Sequence, residues 1–279
     1  MATKHLSAKG ISANNVSNAS SKAAWVRDPN WLVLPSIIGQ QMFTGLMAVF
    51  TDSNYVSLLA TTNTGNYQVD WGDGTIEQFA SNIQAYHQYD YNTFDVSNTT
   101  LITHNGASYK QAIVKVTAVS GNLTGVNLNK LHNATGLTSG CDVNWLDIAI
   151  EGANITSFVL SAASLVVASR LLESCYVGTL NAAFSDWSYM FYACVSIKTV
   201  GLRNTTAVTN MSYMFSTCYS LTSVPLFNTA AVTNTASMFQ NCYSLTSVPL
   251  FNTAAVTNTA SMFQNCYSLT TIERWNHLS

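Results

Sequence analysis

A 24-residue repeat near the carboxyl end constrains the fold of this chain more than any other feature. The dipeptide Met-Phe recurs with that period, and a cysteine follows each methionine four residues later. Residues 219–242 and 243–266 have the same sequence, YSLTSVPLFNTAAVTNTASMFQNC. Self-similarity at a fixed period predicts stacked units rather than a single closed globule. The recurring positions are Met190, Met214, Met238 and Met262, with Cys194, Cys218, Cys242 and Cys266.

Each unit is predicted to contain a strand, a turn and a short helix. Leu221, Val224 and Leu226 form an apolar run that favours a short strand with these side chains turned inward. Pro225 interrupts the run and predicts a restricted ladder or the end of the strand. Met238 and Cys242 are four residues apart and share one face of the predicted helix. One unit buries too few large apolar side chains to offset the ordering entropy of its chain, so the units must stack.

The repeat phrase L-x-x-V-P-L-x-N-T-x-x-V-T-N-x-x-x-M-F-x-x-C resembles the repeat of BspA-type leucine-rich-repeat surface proteins. The resemblance covers residues 179–272 well and the region back to residue 121 loosely. It implies a right-handed, leucine-rich-repeat-type solenoid over residues 120–279. It also implies adhesion or binding rather than catalysis.

Between residues 39 and 119 the apolar pattern changes to period two. Tyr67, Val69 and Trp71 alternate with polar residues, which predicts half-buried strands of a small β-sandwich. The segment V-D-W-G-D-G-T at residues 69–75 resembles the PKD domain, an immunoglobulin-like sandwich. That resemblance implies a core position for Trp71 and a tight turn at Asp73 and Gly74. The predicted fold class is therefore mainly β with short helices, a sandwich followed by a solenoid.

Residues 1–38 are predicted to be an extended arm, because their first part is polar and too poor in apolar residues to fold alone. Trp25, Trp31 and Leu34 are predicted to dock on a neighbouring subunit. The order of arm, sandwich and repeats resembles virion structural proteins of tailed phages, notably cyanophages. The resemblance implies capsid, neck or tail proteins as partners, and multiple copies or a homo-oligomer.

Composition restricts the partners and the location. Charged residues make up 9% of the chain, against roughly 25% in a typical soluble domain. The net charge of −2 supplies no basic patch, which argues against nucleic acid as a partner. The first residues lack a continuous apolar segment, and no stretch approaches the roughly 18 apolar residues of a membrane span. The sequence thus predicts no export signal and no membrane insertion. Together with the resemblance to virion proteins, this implies assembly in a host cytoplasm and location on the virion surface.

Residues with catalytic or metal-binding side chains are few and do not form a recognisable motif. The repeat cysteines are predicted to be buried free thiols, and the absence of C-x-x-C argues against zinc. Asp70 and Asp73 provide too few oxygens for calcium and are predicted to hydrogen-bond the turn backbone. Neither an enzyme activity nor a cofactor or metal is predicted. The histidines weighed for acid–base chemistry are His87, His104 and His132.

Aromatic residues that recur in the repeats are the candidate binding surface. Tyrosine and phenylalanine suit protein or glycan contact when exposed, whereas stacking in the core is the alternative, and the tyrosines leave both open. The residues are Tyr219, Tyr243, Tyr267, Phe227 and Phe251.

The leading functional prediction is a phage virion structural surface protein, either a capsid decoration or a head or tail fibre, that mediates particle attachment or host binding. The alternative is a bacterial BspA-like cell-surface adhesin whose signal lies outside this sequence. An enzyme that carries these modules as accessories would need a catalytic region, and the sequence predicts none.

Overall fold

The computed structural model describes residues 25–51, 54–93, 102–104, 107–130, 144–161 and 170–272. These residues are mainly β and include no helix. The strands in chain order are β1 (Met42–Val49), β2 (Tyr55–Thr62), β3 (Asn66–Asp70), β4 (Ile76–Ala80), β5 (Gln84–Gln88), β6 (Ile102–His104), β7 (Ala107–Ala118), β8 (Leu123–Asn127), β9 (Trp145–Gly152), β10 (Ser157–Val159), β11 (Ser174–Leu180), β12 (Thr199–Leu202), β13 (Ser247–Val248) and β14 (Thr271–Ile272).

Two mixed sheets share one hydrophobic core. The larger has the order β12-β11-β9-β1-β7-β3-β4, with β6 also paired to β7, and the smaller has the order β10-β8-β2-β5. Strands β1, β3, β4 and β7 pair antiparallel, whereas β9, β11 and β12 pair parallel with one another. Apolar side chains from both sheets form one buried cluster. This arrangement is consistent with the predicted β-sandwich.

The period-two pattern correctly predicted which side chains are buried. Tyr67, Val69 and Trp71 in and after β3 are fully buried, as are Ala112, Val114 and Val116 of β7. The sheets do not end at the predicted boundary after residue 119, because β8 pairs with β2 and β9 pairs with β1. The first strands of the region assigned to the solenoid therefore complete the sandwich sheets.

The W-G-D-G-T segment makes the tight turn that its sequence predicted. The Trp71 amide donates to the Thr75 carbonyl at 3.0 Å, and the Thr75 amide donates to Asp73 Oδ1 at 2.9 Å. Gly72 has a φ of 82°, and a Cβ there would lie 2.6 Å from the Ile113 carbonyl oxygen. Only glycine combines this left-handed backbone with so close an approach to β7.

Neighbouring repeats are joined by backbone hydrogen bonds with a constant offset. In the third repeat, alternate amides donate to carbonyls 23 residues ahead at 2.8–2.9 Å. The pairs are Thr235 to Asn258, Ser237 to Ala260, Phe239 to Met262 and Asn241 to Gln264. The two preceding repeats form the same bonds, and parallel bridges connect Asp186, Asn210, Asn234 and Asn258 in sequence. Each repeat thus supplies the hydrogen-bond acceptors of the repeat before it.

The predicted short helix in each repeat is wrong. A helix needs every amide to donate four residues back, but in residues 235–241 alternate amides donate to the next repeat instead. The intervening amides form turns, such as Met238 to Thr235 at 3.1 Å. Ser237 and Asn241 have φ values of 54° and 61°, which interrupt any right-handed helix. The segment is therefore a series of turns in which alternate backbone amides pair with the next repeat.

The predicted strand in each repeat is present only in part. The last two repeats have the two-residue strands β13 and β14, whereas residues 221–226 form no strand. Val224 is buried, but Leu226 is 69% exposed, so its predicted inward orientation is wrong. Pro225 has no amide hydrogen for a ladder, and Phe227 takes the next core position instead. Methionines 190, 214, 238 and 262 are all buried in register, as the period predicted.

Candidate binding surface of the repeats

Three tyrosines, Tyr219, Tyr243 and Tyr267, form an exposed column that we call the tyrosine ladder. Their ring centroids are 4.8 and 5.6 Å apart, with interplanar angles of 5° and 15°. Tyr219 and Tyr243 are each 39% exposed, and Tyr267 is 78% exposed. The alternative that these rings stack within the core is therefore wrong. Because Tyr219 and Tyr267 cover the two faces of Tyr243, this middle ring presents its edge to solvent.

Side-chain amides form a second set of columns, the amide ladders. Gln240 Nε2 donates to Gln264 Oε1 at 2.5 Å, and Asn265 Nδ2 donates to Asn241 Oδ1 at 2.7 Å. The Tyr267 hydroxyl donates to Asn265 Oδ1 at 3.2 Å, which places the Asn241–Asn265 pair beside the tyrosine ladder. The sequence pattern did not single out these amides, although the identical 24-residue units repeat them at one spacing.

Phe227 and Phe251 do not belong to the exposed surface, so their predicted binding role is wrong. Their exposed fractions are only 6% and 4%, and their rings pack together with centroids 4.6 Å apart. Each follows an exposed leucine, Leu226 or Leu250. The V-P-L-F run therefore buries its first and last residues and exposes the leucine between them.

The repeat cysteines are free thiols, and their column lies inside the stack. Cys194, Cys218 and Cys242 are buried, whereas Cys266 is partly exposed. Each of the last three donates its Sγ hydrogen to a phenylalanine carbonyl of the preceding repeat, as in Cys242 to Phe215 at 3.0 Å. Burial raises the pKa of Cys194 to about 12, so this thiol stays protonated and unreactive at neutral pH.

The described arm residues contact their own chain. Trp31 is buried, and its Nε1 donates to the Tyr109 hydroxyl at 3.0 Å. Trp25 Nε1 donates to Glu173 Oε2 at 3.0 Å, and Leu34 packs against the same apolar cluster. The prediction that Trp31 docks on another subunit is therefore wrong, whereas Trp25 and Leu34 are half-buried and their docking on another subunit stays a prediction. Residues 1–24 of the predicted arm lie outside the described residues.

The apolar outer face of the larger sheet explains this docking. Leu46, Ala48 and Leu146 point away from the main core and form a second buried cluster with Trp31 and Tyr109. A sheet that exposed these side chains would leave apolar area in water, which the arm removes. An ion pair fixes the position of the arm, since Arg27 Nε lies 3.0 Å from Asp147 Oδ2.

The acidic side chains around the Asp-Gly turn bond to polar groups of the same chain. Asp73 Oδ2 lies 2.7 Å from His87 Nε2, and the His87 ring stacks on Trp71 at 5.0 Å. Burial opposes ionisation of Asp73, but hydrogen bonds from the Thr75 amide and His87 outweigh it and lower the pKa of Asp73. Asp70 also bonds the turn backbone as predicted, since its Oδ1 accepts from the Gly72 amide at 3.0 Å, and its Oδ2 lies 3.0 Å from Lys115 Nζ. The two carboxylates thus stabilise the turn and are directed to different partners.

The described residues include no cluster of three or more His, Cys, Asp or Glu side chains suited to a metal ion. They also include no helix that is both long and apolar enough to cross a bilayer.

The fold and the surface define a class: a mainly β protein with tandem repeats that carry an exposed tyrosine ladder. Residues 185–279 match a family described as "Mycoplasma protein of unknown function, DUF285". The match spans the tandem repeats and less than half of the chain. The repeats are thus similar to those proteins, whose description gives no activity. No curated protein and no solved structure matches the chain significantly.

Proposed function

We propose that this chain is a non-enzymatic structural surface protein of a phage particle and that its repeats form a solenoid. The exposed tyrosine ladder is the observation that carries the proposal. Its three identical side chains lie on a stack held by backbone hydrogen bonds, so they form a fixed surface for a partner. Aromatic residues on rigid surfaces are common binding anchors. The function assigned to this ladder is attachment to a host or to a partner structure.

Two regular features of the repeats support the solenoid. The offset of 23 residues between donor and acceptor repeats three times, and phenylalanine rings stack at 5.2–5.6 Å through four repeats. A stack of this kind grows by one unit for each 24 residues added. Inserting one more copy of residues 243–266 should lengthen the molecule by about 5 Å, the spacing of paired strands. Small-angle scattering measures that increase, and an unchanged length contradicts the solenoid.

Attachment of the protein to the particle is assigned to residues 1–24, because Trp25, Trp31 and Leu34 are already bound to this chain's own sheet. Other virion proteins of the capsid, neck or tail are the partners of that segment. Several copies per particle would let weak contacts through the repeats add together.

The test is the location of the protein. Antibodies against the repeats should label intact purified phage particles in electron micrographs, and peptides of this chain should appear in the mass spectrum of those particles. Treating the particles with protease before labelling should remove the signal, since the repeats face outward. Particles that lack the protein, or label only after disruption, contradict the proposal.

A bacterial cell-surface adhesin is the second candidate. It is supported by the match of residues 185–279 to a family described from Mycoplasma, a cellular organism. The same antibodies separate the two candidates, because an adhesin labels the surface of intact uninfected cells. Labelling of cells without particles would replace the phage assignment by this one.

A further inference from the structure

We propose that the tyrosine ladder binds a neutral glycan chain that runs along the stack of repeats, an inference that deepens the surface function proposed above. The tyrosine ladder and the amide ladders together supply the binding groups. Three features of this region favour such a ligand: its lack of charge, its hydrogen-bonding groups and the direction in which the rings are exposed.

The region around the ladder has no charge. Residues 219–266 contain no Asp, Glu, Lys, Arg or His. Nucleic acids, sulfated polymers and acidic lipid surfaces depend on arrays of Lys and Arg for binding. A charged protein partner also gains from opposite charges at the rim of an interface. An uncharged surface of two full repeats offers none of these contacts, and it favours a partner that is itself neutral.

The exposed groups match the chemistry of sugar hydroxyls. A tyrosine hydroxyl donates one hydrogen bond and accepts others, and the Asn and Gln amides likewise carry both donors and acceptors. Sugar hydroxyls also act in both roles, so either orientation of a sugar finds a complement. At the last described coil the Tyr267 hydroxyl and Asn265 are in contact, so both kinds of group face one position.

The stacking of the rings determines how a ligand approaches. The faces of Tyr243 are covered by Tyr219 on one side and Tyr267 on the other, at 4.8 and 5.6 Å. At Tyr243 a sugar therefore meets the ring edge and the hydroxyl rather than a flat aromatic face. The tyrosine recurs at three coils and the Asn and Gln amides at two, so a polymer with a regular repeat finds equivalent contacts along this part of the stack. Linked contacts raise the affinity for a chain above that for a single sugar.

The direct test uses the purified full chain and an array of neutral and acidic glycans, with dextran and dextran sulfate as a pair that differs in charge. We expect binding to a neutral polysaccharide, weaker binding to its short oligosaccharides and none to sulfated chains. The triple variant Tyr219→Phe, Tyr243→Phe and Tyr267→Phe keeps the stack and removes the hydroxyls. Each lost hydrogen bond should weaken binding by about two- to tenfold.

A matched control removes hydroxyls from another tyrosine stack. Tyr189 and Tyr213 stack at 4.8 Å with an interplanar angle of 4°, and neither belongs to the tyrosine ladder. Their double Phe variant should bind the polysaccharide like the unmodified protein. Inserting another copy of residues 243–266 adds a fourth ladder tyrosine and should tighten binding of long chains by severalfold, while binding of a monosaccharide stays the same.

Four outcomes would overturn the inference. These are binding to sulfated chains alone, no binding to any neutral glycan, and equal binding by the triple Phe variant. The fourth is binding of the purified protein to isolated host cell envelopes that is abolished when the envelopes are treated with protease but not when their sugars are oxidised with periodate. The last outcome would assign the ladder to a protein receptor. Each measurement uses purified protein, so a negative result leaves the location of the protein on particles as a separate question. Circular dichroism and melting temperature confirm that each variant is folded.

Discussion

At the scale of single residues, the interior of the repeats is a set of columns of identical side chains. Phe239 is fully buried between the rings of Phe215 and Phe263, with centroids 5.5 and 5.6 Å away. Stacked aromatic rings add to the free energy gained by removing their surface from water. Because a column couples one repeat to the next, a change at one ring reaches the repeats on both sides.

Replacing Phe239 by alanine should lower the free energy of unfolding by about 3–5 kcal/mol, the usual effect of emptying a packed aromatic site. Urea denaturation measures the loss. Leu226→Ala is the matched control, because this side chain is 69% exposed, and it should change stability by less than about 0.5 kcal/mol. A loss below about 1 kcal/mol for the Phe239 variant would contradict the packing described above.

The buried thiols limit the stability of the stack at alkaline pH. Burial raises the pKa of Cys194 to about 12 from an ordinary value of 9.0, and burial also raises that of Cys218. Above pH 9 the unfolded chain releases these protons and the folded chain keeps them, so the free energy of unfolding falls as pH rises. The stabilisation is complete below pH 9 and is lost between about pH 9 and pH 12.

Urea denaturation between pH 7.5 and pH 9.5 tests this dependence below the ordinary tyrosine pKa of about 10. The decline should approach about 1.4 kcal/mol per pH unit for each buried thiol. Cys194→Ala should be less stable at neutral pH because of its cavity, but its stability should decline less steeply above pH 9. Parallel curves for the two proteins would show that the thiol does not cause the decline.

At the scale of an element, each repeat contains two residues with left-handed backbone, four positions apart. In the third repeat they are Ser237 and Asn241, and the other repeats have residues with positive φ at the equivalent positions. A left-handed conformation costs a non-glycine residue about 1–2 kcal/mol. This conformation directs the backbone amides of Ser237 and Asn241 toward the next repeat, where they donate to its carbonyls. Local strain is thus offset by pairing between repeats.

This trade-off predicts an order of stability at position 241. Both Asn241→Gly and Asn241→Val keep the backbone amide. The glycine relieves the strain of the left-handed backbone, whereas the valine increases it. The free energy of unfolding of the Val variant should be about 1–2 kcal/mol lower than that of the Gly variant. At the exposed Ala230, whose φ is not positive, the same pair of substitutions should show the opposite order. Thermal denaturation compares the four proteins, and equal values at position 241 would refute the argument.

The same element shows what the sequence could and could not predict. The 24-residue period predicted the buried columns of Met190, Met214, Met238 and Met262, because a repeated apolar residue needs the same environment in every unit. The period did not reveal the alternation of right- and left-handed backbone, since Ser, Asn, Tyr, Thr and Ala all occupy the left-handed positions. The four-residue separation of methionine and cysteine therefore matched a helix, although the backbone is not helical.

The sequence predicted which aromatic residues recur but not which of them are exposed, for a related reason. Tyr243 and Phe251 are both aromatic and both recur, and their letters do not tell which one faces water. After Pro249 the backbone turns Leu250 outside and Phe251 inside, an order that the letters alone do not give. The amide ladders escaped notice because Asn and Gln are ordinary surface residues until identical units bring them into contact.

At the scale of the whole molecule, the arm joins regions that are far apart in sequence. Trp31 contacts Tyr109 of β7, Arg27 contacts Asp147 of β9, and Trp25 contacts Glu173 just before β11. The arm therefore spans the antiparallel strands of the sandwich and the parallel strands that lead to the repeats. It covers an apolar sheet face that would otherwise be open to water.

Two truncations separate this structural role from attachment to the particle. Deleting residues 1–24 leaves every described contact of the arm, so the protein should keep its melting temperature but no longer join particles. Deleting residues 1–34 also removes Trp25, Trp31 and Leu34, and exposes Leu46 and its neighbours. That protein should melt at a lower temperature and bind a dye for apolar surfaces.

The point variant Trp31→Ala should reproduce the lower melting temperature in a chain that still joins particles, because its residues 1–24 are intact. Immunoblots of purified particles measure incorporation. Normal incorporation of the shorter deletion would show that attachment lies elsewhere in the chain, and an unchanged melting temperature for Trp31→Ala would show that the arm does not stabilise the sheet it covers.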